Sequence, residues 1–285
     1  KYNNFLDLIN IKYDVYNPVQ EFLSKEDLLS VVKRYHLKNG KFFPLPIFLN
    51  VPKNLYNLCK KENKYTAEAY YKSNKVCNLK IKSFYKIDKK KIGKLIFLTK
   101  NTNHPGFKEF INLENNFAQC EIKKFDKKIM KSVYFSYPQK FKRKLKKKKI
   151  KKIIGFHTRN APHKAHEWIH AYGLKKCSAL LIQPMIGQSR KGEYKTEAII
   201  KSNLKLVKEI YRKKNIFFEI FNSYPRYAGP REALFHAIVR KNYGCSHFLV
   251  GRDHAGVGQY YKKYQSQKLC KKYKQKLKIK IVTFK

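Results

Sequence analysis

Several chemistries are excluded by what this sequence lacks. It has no GxxxxGK[ST] run to cradle a triphosphate and no GxGxxG turn to receive a dinucleotide. Its six cysteines, Cys59, Cys77, Cys120, Cys177, Cys245 and Cys270, form no CxxC pair and no ligand-like spacing. They read as buried thiols in a reducing compartment. No apolar run approaches the roughly 18 residues that a membrane span needs, and no signal peptide is legible. The chain opens on Lys1, not Met, which leaves a removed leader and an organelle address open. Arginine is scarce, with 9 residues against 56 lysines.

What is abundant is lysine. The formal charge of +46 would by itself suggest a nucleic acid or an anionic surface. But the lysines come with many Asn, Ile, Tyr and Phe residues, the profile of AT-rich coding. Patches built for nucleic acid favour arginine and its bidentate fork. Seven of the nine arginines, Arg159, Arg190, Arg212, Arg226, Arg231, Arg240 and Arg252, fall between positions 159 and 252. Where lysine is the default cation, such arginines mark places that need a planar fork.

The 285 residues suffice for two domains. Residues 1–139 read as a mostly-β first domain, with strands at 42–51, 76–87 and 94–100 and a helix from Lys25 to Tyr35 capped by Ser24. Residues 140–152, KFKRKLKKKKIKK, are ten basic residues in thirteen and read as a solvated helix and connector. From 153 to 285 strands and helices alternate. Strands are expected at 153–157, 179–183, 216–221, 247–250 and 278–284. Helices are expected at 163–174, 196–213, 230–243 and 260–277. Such alternation implies a parallel sheet covered by helices, with ligands at the carboxyl ends of strands.

Two segments sit at such ends, GFHTRNAPHKAH at 155–166 and GRDHAGVG at 251–258. In the first, Thr158, Arg159 and Asn160 form the turn after the strand, and Pro162 suits a first helical turn. His163 and His166 share a helical face near the positive end of the helix dipole, and Arg159 offers a fork to a tetrahedral oxyanion. As a zinc pair the two histidines lack a third ligand in register. In the second segment Gly251 and Gly256 permit close backbone approach, Arg252 and His254 add donors, and Asp253 can accept from a ribose hydroxyl. Between them, Ala233, Leu234, Ala237 and Ile238 form the apolar face of a core helix. Arg226 and Arg231 bracket its start as candidates for the same pocket.

GFHTRNAPHKAHEWI and YAGPREALFHAIVRKNYGCSHFLVGRDHAGVG resemble the two signatures of the ATP sulfurylase (sulfate adenylyltransferase) family, in its bacterial and archaeal branch. YNPVQEFLSKEDLLSVV, GKFFPLPIFLNV and HPGF are similar to its N-terminal domain. The resemblance implies an α+β, PUA-like, β-rich domain over 1–139, the connector 140–152, and an α/β Rossmann-like nucleotidyltransferase domain with a parallel sheet over 153–285. It implies a cytoplasmic homo-oligomer converting ATP and sulfate, with Mg²⁺, into adenosine 5′-phosphosulfate and pyrophosphate, reversibly. Catalysis would fall to Thr158, Arg159, Asn160, His163 and His166. ATP would be held by His157, Arg159, Asn160, His163, His166, Gly251, Arg252, Asp253 and His254. Sulfate would be held by His157, Arg159 and the Ala255 amide. No protein metal ligand is implied within the chain. Zinc is expected only in a C-terminal segment beyond Lys285, where the family continues, so that the catalytic domain is expected to be C-terminally incomplete. The chain departs from the family pattern at His157, where the family has Gln, and at Ala161, where it usually has Pro. Neither a membrane nor a nucleic acid is an expected partner. The contrasting reading is a degenerate, lysine-rich relative that binds RNA or another polyanion without turnover.

Overall fold

The computed structural model describes residues 2–132, 135–187, 194–212 and 215–284. Arg190 and the end of the helix expected over 196–213 lie outside them. The first half holds helices α1 (Tyr2–Lys12) and α2 (Lys25–Arg34), strand β1 (Leu49–Val51), α3 (Lys53–Lys61), strands β2 (Thr66–Tyr71) and β3 (Asn74–Tyr85), α4 (Lys89–Phe97), α5 (Pro105–Ile111) and strand β4 (Asn116–Lys123). The four strands form an antiparallel sheet in the order β1-β4-β3-β2. Ser24 caps α2 as expected, its hydroxyl accepting from the Asp27 amide at 3.1 Å.

Two expectations fail in this half. The segment 94–100, read as a strand, lies mostly in helix α4. Asp88 caps that helix by accepting from the Lys91 amide, and Leu98 ends it in the left-handed conformation. The pairs Ile92/Ile96 and Gly93/Phe97, four apart, form its buried face. A reading that starts at Lys94 is too short to show that period. The segment 42–51 is a strand only at Leu49–Val51. Pro44 and Pro46 remove ladder donors, so Phe43, Leu45 and Ile47 are buried without pairing as a strand.

The second half runs α6 (Pro138–Lys147), β5 (Ile153–Thr158), α7 (Lys164–Leu174), β6 (Ala179–Ile186), α8 (Thr196–Lys205, then a π turn over Leu206–Ile210), β7 (Ile216–Phe218), β8 (Phe221–Asn222), α9 (Pro230–Asn242), β9 (His247–Val250), α10 (Gln265–Lys272), α11 (Lys274–Leu277) and β10 (Lys280–Thr283). The sheet is parallel, in the order β10-β9-β5-β6-β7, with β8 continuing beside β6. The chain lays β6 and β7 on one side of β5, then returns through α9 to lay β9 and β10 on the other. Loops leaving β5 and β9 therefore diverge and open a crevice at their carboxyl ends. The lysine-rich α6 is not fully solvated. Phe141 and Leu145 are buried, with Phe141 edge-on to Phe217.

The halves share one core. A single apolar cluster runs from Phe5 and Leu6 of α1 through Phe43 and Phe117 to Phe235 of α9 and Phe248 of β9. Polar ties cross it too. Asn242 donates to the carbonyls of Val15 (3.0 Å) and Asn17 (2.7 Å), and Asn10 donates to the carbonyl of Asn222 (2.6 Å). No helix among the described residues is long and apolar enough to cross a membrane, and all six cysteines are buried free thiols.

Candidate active site

At the crevice between β5 and β9 lies a cavity of about 210 Å³. That far exceeds the roughly 10–15 Å³ a single water needs, so a ligand of many atoms fits. The first motif supplies His157, Thr158, Arg159, Asn160 and His166 to its wall. The second supplies Asp253, His254, Ala255 and Gly256. The sheet brings them together because β5 and β9 are hydrogen-bonded neighbours, although their motifs lie about ninety residues apart.

Local structure aims each group. Thr158 accepts the Asn160 amide on its hydroxyl at 3.0 Å, which shapes the turn carrying Arg159. The Arg159 guanidinium packs 5.9 Å from the Tyr227 ring. Helix α7 starts at Lys164 with His163 as its N-cap, so Pro162 precedes the helix instead of entering its first turn. His163 is exposed and lies outside the cavity wall. Its ring stacks on His166 at 3.9 Å. In the second loop, Gly256 donates to the Asp253 carbonyl at 2.9 Å, and Ala255 has φ 58°. Left-handed backbone at a non-glycine residue holds that amide in an unusual direction. Gly251 and Arg252 are also off the wall. A Cβ on Gly251 would come within 3.2 Å of the Phe284 ring, and Arg252 is exposed, paired with Asp253 at 2.7 Å.

Sequence reasoning missed three wall or near-wall groups on α9. Twelve of its thirteen residues are buried, so the helix has no solvent face to set against the expected apolar stripe. Glu232, His236 and Arg240 recur every fourth residue and lie on one face. That repeat of polar types within an apolar helix was the available signal. Glu232 accepts the amides of Arg226 (2.9 Å) and Ala228 (3.1 Å). Burial raises its carboxyl, and those amides with the Arg159 charge partly offset the rise. His236 stacks on His157 at 3.9 Å and shares a hydrogen bond with His254 at 3.1 Å.

Arg226 and Arg231 do not serve the cavity as expected. Arg226 forms a buried ion pair with Asp7 of α1 and stacks 4.0 Å from the Tyr224 ring. Arg231 donates to the carbonyls of Val31, Val32 and Pro44, tying the first half down. Both forks are used to join the halves.

Burial governs the imidazoles. It pushes His166 down to about 4, with His163 adding to the effect, and His170 and His254 to about 3. His157 and His236 are likewise held well below their ordinary range, by burial first and by neighbouring imidazoles and guanidiniums second. All are neutral near pH 7. The unfolded chain, with histidines near 6.5, therefore binds more protons than the folded one between about pH 6.5 and 4. Stability rises with pH across that window and falls on acidification. His170 alone, held neutral at pH 5, should lose about 2 kcal/mol of its contribution relative to pH 7. A scan of Tm from pH 7.5 to 5 should show a fall of roughly 10 °C. A flat Tm would mean that the imidazoles titrate normally.

A parallel sheet whose switch point offers arginine, neutral imidazoles and a left-handed loop residue on the cavity wall fits a nucleotidyltransferase domain. The chain belongs to the ATP-sulfurylase family. That family's model matches residues 132–285, and a PUA-like domain matches residues 1–126. The sulfate adenylyltransferase of Ignicoccus hospitalis is 32% identical over 270 residues, covering 94% of this chain and 70% of its own length. That of Pyrococcus abyssi is 34% identical, covering 92% and 68%. Among solved structures, a hexameric APS kinase from Thiobacillus denitrificans shares the fold (TM-score 0.69, 14% identity). This chain is matched in full and spans half of that one.

Proposed function

We propose that this chain transfers the adenylyl group of ATP to sulfate at the β5–β9 crevice, by in-line attack on the α-phosphorus. A sulfate oxygen forms the new bond to that phosphorus. The bond to the β-phosphate oxygen breaks, and pyrophosphate leaves with its electron pair. Sulfate carries no proton at neutral pH, so no general base is needed. The depressed histidines suit this, since they act as single N–H donors and do not add or remove protons. Arg159, His157 and the Ala255 amide hold sulfate. Asn160, His166, Asp253 and His254 hold the nucleotide within the cavity, while His163, Gly251 and Arg252, which lie off its wall, serve only parts of the nucleotide that extend beyond it. Thr158 and Asn160 shape the turn that carries Arg159, and positioning with charge stabilisation supplies the rate.

One observation carries this reading: two loops distant in sequence wall a single cavity rich in donors. Mg²⁺ would enter as part of the ATP substrate. Among the described residues, no group of three or more His, Cys, Asp or Glu is placed to hold a metal ion. Of the wall carboxylates, Glu232 takes two amides and Asp253 pairs with Arg252. A homo-oligomer in the cytoplasm is the setting we propose, with the domain junction in 140–152.

The test is ATP formation from adenosine 5′-phosphosulfate and pyrophosphate with Mg²⁺, using Arg159→Ala as control. Turnover that vanishes in the variant is expected. Absence of turnover in the parent, with tight and salt-steep RNA binding, would support the degenerate polyanion binder instead.

A further inference from the structure

Arg240 is the largest fully buried side chain, with 0% exposure. None of the ion pairs found among the described residues includes it. Burial lowers its guanidinium to about 9, so it remains a cation at neutral pH. It lies between the rings of Phe221 (5.2 Å) and Phe248 (5.7 Å). Its stem crosses β5 at Gly155, where a Cβ would come within 2.6 Å of the Arg240 Cγ. Only glycine leaves that path open. The head ends on two acceptors. Nη2 donates to the Gln183 carbonyl at 2.9 Å and to His157 Nδ1 at 2.8 Å. Gln183 is the register partner of His157 across β5 and β6.

A guanidinium has five N–H donors and no lone pair to offer. His157 Nδ1 facing it must therefore accept. A neutral imidazole carries one N–H, which leaves that proton on Nε2. Nε2 makes no hydrogen bond among the described residues, and the ring lines the cavity. The groups around the ring agree. Arg240 and His236 face it from α9, His254 comes from the loop after β9, and Arg159 comes from its own strand end. Each is a cation or a neutral donor. His166 of α7 and Asp253 lie elsewhere on the same wall, and the carboxylate of Glu232 is directed at His236 (3.6 Å) and two backbone amides.

We propose that Arg240 is a positioning residue that locks the proton of His157 on Nε2, so that the cavity presents an N–H at this point and never a lone pair. The inference rests on sulfate occupying that cavity. Its consequence is selectivity between anions of similar shape. Sulfate carries no proton at neutral pH and can use donors on every oxygen. Hydrogen phosphate has a P–OH that needs an acceptor, and a fixed N–H opposite it leaves both donors unpaired. Arg240 thereby makes a histidine serve as a one-way donor, with a proton position independent of pH over the working range.

Two measurements test this. The first uses the unaltered protein with ¹⁵N-labelled histidine and reads the ring nitrogens. His157 is expected as the neutral Nε2–H tautomer from pH 6 to 8; an Nδ1–H tautomer or an imidazolium would overturn the proposal. The second compares the sulfate KM with inhibition by inorganic phosphate in the parent, Arg240→Met, His157→Gln and the double variant. Arg240→Met is expected to raise the sulfate KM roughly tenfold, the scale of one charge-assisted hydrogen bond. It should also strengthen phosphate inhibition relative to sulfate and make the sulfate KM fall as pH drops below 7, because the released imidazole can then take up a proton and gain charge. In the His157→Gln background, where the amide donor needs no tautomer set, Arg240→Met should leave the sulfate-to-phosphate ratio within about twofold. An unchanged ratio in Arg240→Met, or an equal change in both backgrounds, would overturn the proposal. Should Arg240→Met not fold, the spectrum of the parent decides alone. A parent that releases no pyrophosphate with sulfate would instead sink the functional reading and leave the tautomer result standing.

Discussion

Replacing Arg159 by lysine is expected to lower sulfate-dependent turnover by about 10²–10³-fold, the scale seen when one oriented transition-state donor is removed. The charge survives this substitution and the geometry does not. A guanidinium presents two parallel N–H groups to a tetrahedral oxyanion, while an ammonium offers one point contact on a flexible stem. Local contacts hold Arg159 in place. It leaves the last residue of β5, rides a turn closed by the Thr158 hydroxyl, and packs on Tyr227. Pyrophosphate release with sulfate, followed at saturating ATP, is the measurement. The loss should fall on kcat more than on ATP affinity, since the fork acts on charge that develops during transfer. An unchanged Tm would show that the loss is chemical. Near-normal kcat in Arg159→Lys would remove Arg159 from the transition state.

The largest stability effect is expected far from the cavity, at Asp7. This carboxylate is 2% exposed and sits on α1, in the first turns of the described chain. It pairs with Arg226, accepts the Tyr224 hydroxyl at 2.9 Å and the Tyr16 hydroxyl at 3.1 Å. All three donors are buried or nearly so. Asp7→Ala would leave the buried Arg226 cation without a carboxylate, at a cost of about 3–5 kcal/mol. Tm should drop by roughly 10 °C or more. Activity should fall as well, because Arg226 opens the segment whose amides grip Glu232 and whose Tyr227 supports Arg159. The double variant Asp7→Ala, Arg226→Met should recover much of the lost Tm, since it removes the stranded charge. If single and double variants melt together, burial of an unpaired cation is not what the single change costs.

Much of the catalytic half was legible because its signals are local. Alternation of short apolar runs with helical patterns places β5, β6 and β9 to within a few residues. Arginine stands out against a lysine background, and the Thr-Arg-Asn turn and the Gly-Arg-Asp-His loop lie where strands end. Ser24 announces α2 by a single side chain. The misreadings have physical causes of two kinds. Segment 94–100 is too short a window to show the helical period of Lys89–Phe97, so its apolar residues pass for a strand. Segment 42–51 has strand-like side chains, but its two prolines deny it a ladder.

The sequence alone thus determined the family, the order of domains and the two loops that wall the cavity, because these depend on residue type and near-neighbour spacing. Only the tertiary structure decided which arginines those loops would use. Arg226 and Arg231 stand beside the motif in sequence, yet they turn away to Asp7 and to the carbonyls of residues 31, 32 and 44. Arg240, read as part of a packing helix, reaches His157 through the gap at Gly155. The physical reason is burial. A guanidinium taken out of water goes to whichever acceptors the fold brings within reach, and those acceptors come from strands and helices that only the folded chain brings together.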